Sequence, residues 1–241
     1  MTQVVLLDNV EHHDLRLITR FAPDLGDRVN LVLVVPTEFA EVQREYPILF
    51  RRSENGTFQA FALLGFEKDE NLYLDDNGWH AQYIPAMQAR GPFRIGFRQQ
   101  DGQGGRGEPM IMVDLDHPRI SRTEGDPLFL PHGGNAPAFE RAVETLRTLH
   151  SGVEASDAMF AVFAEAGLLA PVEINIQFDE TARYTLPDFF AISEEALSQL
   201  DGETLQRLNQ SGFLTLAYCA LLSKGNLARL IDLKARRRQN L

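Results

Sequence analysis

Apolar positions along the chain follow two regimes. Before residue 135 they come in short extended runs parted by turn residues, and from Ala136 they recur every three or four positions, as on one face of a helix. In the first regime, 31–35 (Leu-Val-Leu-Val-Val) is a continuous, largely β-branched run stopped by Pro36, the pattern of a strand buried on both faces. Thr37 is placed to cap a short helix over 38–45, with Phe39 and Val42 on its inner side. Two extended runs, 48–52 and 57–66, flank Ser53-Glu54-Asn55-Gly56, and Asn-Gly tolerates the positive φ of a tight hairpin. A third run, 71–74, meets a second such turn at Asp75-Asp76-Asn77-Gly78. One helical turn over 86–90 and strands over 93–98 and 110–115 complete this half.

In the second regime Phe139, Val143, Leu146 and Leu149 share one helical face, opposite Glu140, Arg141, Glu144 and Arg147. Ser151 with Glu154 has the form of a capping box, so a second helix is expected to start there, bury Phe160, Val162, Phe163 and Leu168, and close at Gly167 and Pro171. A strand pair, 172–178 and 183–192, is joined by Asp179-Glu180-Thr181, and Ser193 caps a helix to residue 200. From Asp201 the chain is helical, punctuated by Gly212 and Gly225. Phe213, Leu214, Leu216, Tyr218, Leu221 and Leu222 surround their helix, which predicts a central one, and Asn226 is placed to cap the last. The fold class is therefore α+β: a β-rich N-terminal half with hairpins and a helical C-terminal half packed on it. The expected organisation is one domain over 1–241, with a β-rich lobe over 1–134 and a mainly helical lobe over 135–241.

Composition narrows the function classes. With 44% hydrophobic and 24% charged residues the chain has the make-up of a soluble globular protein. Its net charge of −11 repels phosphate backbones and anionic lipid, which disfavours nucleic acid as a partner. No apolar stretch reaches the length of a membrane helix, and the first sixteen residues lack a basic region and an apolar core of signal-peptide length. The location expected is cytoplasmic. Cys219 is the lone cysteine, which leaves no intramolecular disulfide and no multi-cysteine zinc site, and its apolar neighbours argue for a structural thiol.

Candidate chemistry is sparse. Residues 102–107 satisfy G-x-G-x-x-G, but Pro109 and an extended run follow where a phosphate-binding loop needs a helix, so a β-loop is the better reading. Asp114, Asp116 and His117 follow a strand and are weak oxygen-rich metal candidates, and His12 with Asp14 lacks a third ligand at any readable spacing. No cofactor is implied. The segment 46–97 holds the only tryptophan and three of the five tyrosines, and within it Trp79, His80, Tyr83 and Arg90 gather aromatic faces with a cation. They are the candidate ligand- or partner-binding residues, against the alternative that Trp79 covers a sheet edge and Arg90 caps carbonyls.

Several phrases together, EYPILF at 45–50, ALLGF at 62–66, ENLYLDDNGWHAQYIPAMQARGPF at 70–93, EGDPLF at 124–129 and SGFLTLAYCALLSKGNLARL at 211–230, resemble the SapC family. The resemblance spans nearly the whole chain. It implies no catalytic residues. It does imply an association with surface-protein genes and with neighbours resembling halogenases, cupins and outer-membrane receptors; a peptide-transporter permease of the same name is a different, membrane-spanning protein. Two functions are thus expected to compete: a non-catalytic protein partner or adaptor, with a homodimer as one form of assembly, and an enzyme or small-molecule-binding protein with a pocket near 79–90.

Overall fold

The computed structural model describes residues 3–98, 107–178 and 183–239. Its central element is a five-stranded antiparallel sheet in the order β12-β13-β4-β5-β3, built from β3 (Leu31–Val34), β4 (Ile48–Arg52), β5 (Phe58–Leu63), β12 (Leu169–Gln177) and β13 (Arg183–Ile192). The β4–β5 hairpin has the register Ile48↔Ala62 to Arg52↔Phe58, and Gly56 takes the positive φ, 86°, that its turn requires. The sheet joins the two halves of the chain, because Phe190 of β13 pairs with Phe50 of β4. A second sheet sets β9 (Glu108–Asp114) between β1 (Val4–Leu6) and β8 (Phe93–Arg98). Short strands β2 (Arg16–Leu17), β10 (Ile120–Ser121) and β11 (Asp126–Pro127) form a third, and β6 (Leu74–Asp75) pairs with β7 (Gly78–Trp79). The extended run expected over 71–74 is thus a two-residue strand preceded by a turn, held by Asn71, whose Oδ1 accepts the Tyr73 N–H.

The helices are α1 (Phe39–Val42), α2 (Ala86–Ala89), α3 (Pro137–Glu165), α4 (Glu194–Ser198), α5 (Gly202–Gln210), α6 (Phe213–Ser223) and α7 (Asn226–Gln239). The α+β reading holds, with strands dominating the first half and helices the second. The two helices expected over 136–168 are one. The 29 residues of α3 run through Ser151, whose hydroxyl donates to the Arg147 carbonyl inside the helix instead of capping a new one. The reason lies in tertiary packing: Phe139, Ala142 and Leu146 of α3 lie in the core with Phe93 and Val113 of the second sheet, while Met159, Phe160 and Phe163 lie in the core under the five-stranded sheet. One continuous rod anchored at both ends outweighs a local capping signal worth about 1 kcal/mol.

Other local readings shift for similar reasons. β3 is an edge strand with alternating burial, so only one of its faces enters the deep core. Thr37 does not cap α1; its hydroxyl donates to the Thr148 carbonyl of α3, and the buried Glu38 carboxylate accepts the Val35 N–H. The Asn226 side chain reaches outward to donate to the Gln43 and Tyr46 carbonyls, which ties α7 to the end of α1. α6 is not central. It buries the small residues Ala217, Ala220 and Ser223, and leaves Tyr218 and Leu222 at 46% and 67% exposure. The 102–107 glycine motif lies outside the described residues apart from Gly107, as does the turn 179–181.

Candidate functional site

Between β7 and β8 the chain crosses from one core to the other, and two carboxylates from the 38–45 segment fix its path. Glu38, buried, accepts the Ala86 N–H at 2.8 Å and the Tyr83 hydroxyl at 2.8 Å through Oε2, and the Val35 N–H at 2.9 Å through Oε1. Burial raises its pKa above the usual carboxylate value, and the three donors only partly offset that. Glu45 accepts the backbone N–H groups of Gln82 and Tyr83 through Oε2, with Arg229 of α7 at 3.7 Å from Oε1. The fully buried Tyr46 donates to the Tyr83 carbonyl and accepts from Trp79 Nε1 at 2.8 Å, and Tyr73 donates to the Glu45 carbonyl. Burial pushes the Tyr46, Tyr73 and Tyr83 phenols well above their ordinary range, so all three stay neutral donors.

The four sequence candidates go to different places. Trp79 and Tyr83 are half-buried members of this network, and the Phe21 ring meets Trp79 edge-on at 5.7 Å. Replacing Trp79 by Phe keeps most of the packing and removes the Nε1–H donor, so the expected loss is about 1 kcal/mol. A melting-temperature fall of roughly 2–4 °C measures it, and an unchanged melt would show that the bond to Tyr46 carries no weight. His80 is exposed, with Nε2 at 2.6 Å from Asp75 Oδ1. Arg90, just after α2, turns the other way. Its Nη1 donates to the Phe93 carbonyl at 2.8 Å and its Nε to the Met87 sulfur at 3.0 Å.

Arg90 thereby reaches the mouth of a cleft of about 420 Å³ between α3 and β8. Met87, Ile95, Leu146 and Leu149 line it with apolar surface, exposed Val153 extends that surface along α3, and Arg94 and His150 are its other polar lining residues. Arg94 lies 3.7 Å from Asp114, and His150 3.9 Å from Glu154. No ion pair reaches Arg90 among the described residues; burial first, and the neighbouring Arg94 charge second, lower its pKa below the ordinary guanidinium value. Exposed Phe97 lies beside His150, with ring centroids 6.0 Å apart. No sequence spacing links 90–94 with 146–153, so only the packing of α3 on β8 makes this site visible.

The weak metal candidates are engaged in turn structure. Asp114 is buried and accepts the Asp116 N–H, Asp116 accepts the Gln3 N–H, and His117 Nδ1 accepts the Arg119 N–H. Burial lowers the His117 pKa, with Arg119 adding to the effect. Asp14 pairs with Arg122, while His12 accepts the Asp8 N–H. Among the described residues no group of three His, Cys, Asp or Glu side chains is placed to hold a metal ion. No helix is long and apolar enough to cross a membrane among the described residues. Burial raises the thiol pKa of Cys219, as its apolar surroundings in α6 predict.

Comparison with known proteins gives one match: the family model described as SapC covers residues 7–230. No curated protein and no solved structure matches the chain.

Proposed function

The chain belongs to the SapC family, and from that premise we propose that it acts as a non-catalytic cytoplasmic partner protein that assembles through the outer face of α6. The observation that carries this reading is the composition of that face. Phe213 to Ser223 contains no charged residue in a chain of net charge −11, yet the helix turns Tyr218 and Leu222 to solvent, and α5, packed on it, adds Leu205 at 41% exposure. Isolated exposed apolar side chains are ordinary, but a contiguous apolar helix face marks an interface. Ala217 and Ala220, with half-buried Phe213, Leu214, Leu216 and Leu221, seat α6 on the core, which leaves Tyr218 and Leu222, one turn apart on the outer face, for a partner. A second copy of the chain is the partner available to the purified protein, and a two-fold dimer would let each α6 cover the other.

Leu222→Glu tests this directly. Light scattering at tens of micromolar, roughly the range of weak self-association, is expected to show a dimer for the wild type and a monomer for the variant. The folding free energy of the variant should stay within about 0.5 kcal/mol of that of the parent protomer, measured at a concentration low enough to dissociate the dimer, because an exposed side chain is changed. A photo-crosslinking residue at position 222, compared in cells with one at exposed Gln206, extends the test to other partners. A monomeric wild type together with no adduct at 222 beyond that at 206 would remove the reading.

A further inference from the structure

We infer that the cleft between α3 and β8 is a binding site for an aliphatic chain that ends in a single anionic head. This rests on the cleft alone and stands apart from the α6 reading. A guanidinium that is partly withdrawn from water and lacks a counter-charge is costly, and proteins ordinarily pair such a group. Arg90 has instead a carbonyl, a thioether and a like-charged neighbour: the Phe93 oxygen, the Met87 sulfur and Arg94. Its two named hydrogen bonds fix the side chain at the rim, so an incoming anion meets a donor that is already oriented. Arg94 is partly offset by Asp114, whereas no ion pair reaches Arg90 among the described residues, so Arg90 is the cation left to meet one head group.

The remainder of the ligand is set by the floor. A volume of about 420 Å³ lies in the range of small-molecule sites, and Leu146 to Val153 runs about 10 Å along α3. Each single bond of an extended chain advances it by about 1.2 Å, so a tail of about eight to ten carbons covers that length. Met87, Ile95, Leu146, Leu149 and Val153 offer it apolar surface, and the polar lining groups besides Arg90 are Arg94 and His150. A carboxylate and a phosphate monoester present the same chemistry to Arg90, and they are told apart by experiment.

Calorimetric titration of the full chain with decanoate, decyl phosphate and decanol separates the contributions of head and tail. Decanoate or decyl phosphate is expected to bind at one site per chain, at least tenfold more tightly than decanol, and the tighter of the two anions identifies the head. Val153→Asp places a negative charge beside the tail at an exposed position, so it should abolish binding while leaving the melt unchanged. Arg90→Gln should bring the affinity for the anion down to that for decanol, with the melting temperature measured alongside because the side chain also holds the Phe93 carbonyl. The proposal is overturned by the absence of saturable binding of either anion up to about 1 mM, by equal affinity for decanol, or by unchanged binding to Val153→Asp.

Discussion

Asp27→Ala is expected to cost about 3–5 kcal/mol of folding free energy, the range for a buried charge stripped of its partner. Asp27 and Arg119 are 0% and 4% exposed. Arg119 Nη2 lies 2.9 Å and 2.6 Å from the two carboxylate oxygens, which also accept from Gln88 Nε2 and from the Ala22 N–H. The other guanidinium nitrogen donates to the Ile18 and Arg20 carbonyls, and the Phe21 ring lies 4.4 Å from the guanidinium carbon. One ion pair therefore ties together the 18–27 segment, α2 and the turn before β10. Removing the carboxylate leaves a buried guanidinium with no counter-charge and the Ala22 N–H without its acceptor, while Gln88 keeps only the Gly26 carbonyl. At about 2–4 °C per kcal/mol for a chain of this size, the melting temperature should fall by roughly 6–20 °C. Arg119→Met combined with Asp27→Ala should recover part of the loss, since deleting both charges removes the desolvation cost that the single variant exposes. A single variant melting within about 2 °C of wild type would show that the pair is not structural.

That pair marks where sequence reading runs out. Asp27 and Arg119 are 92 positions apart, and neither carries a local signal of burial. The β4–β5 hairpin was legible because its register is set by a four-residue turn whose Asn-Gly chemistry is local. Ser193 was legible as a cap for the same reason, its Oγ accepting the Ala196 N–H three residues on. Glu38 and Glu45 bound the predicted short helix with no local signal of a role, and they act as structural acceptors because the 78–86 segment folds over them. α6 shows the converse error. A helix apolar on all sides looks buried on all sides, and pattern cannot distinguish cover by the same chain from an uncovered face. Of the candidate site, Arg90 was legible as a cation among aromatics. Its apolar complement comes from α3, more than fifty residues further on, and no periodicity reports which face of a helix meets which sheet.

Gly152→Val is expected to destabilise the protein by about 3 kcal/mol, the upper end of the range for overpacking, with a melting temperature lowered by roughly 6–12 °C. Helix propensity alone argues the other way, because glycine inside a helix costs up to about 1 kcal/mol relative to alanine. Sterics decide the sign. A Cβ built on Gly152 would lie 2.4 Å from Val35 Cγ2, 2.5 Å from Val35 Cβ and 2.6 Å from Thr37 Oγ1. Neither neighbour is free to move: Val35, the residue after β3, is buried, and the Thr37 hydroxyl is bonded to the Thr148 carbonyl at 2.9 Å. At Gly152, therefore, α3, continuous through the predicted break, passes too close to the 35–37 segment to admit a side chain. Val35→Ala should return part of the lost stability in the Gly152→Ala background, although by itself it removes core volume. Because Gly152 lies between Leu149 and Val153, a helix pushed away from Val35 would also widen the cleft, and decanoate affinity should fall with the melting temperature. Gly152→Ala melting at or above wild type would mean that the helix can slide to relieve the contact, and the close approach would then have no energetic consequence.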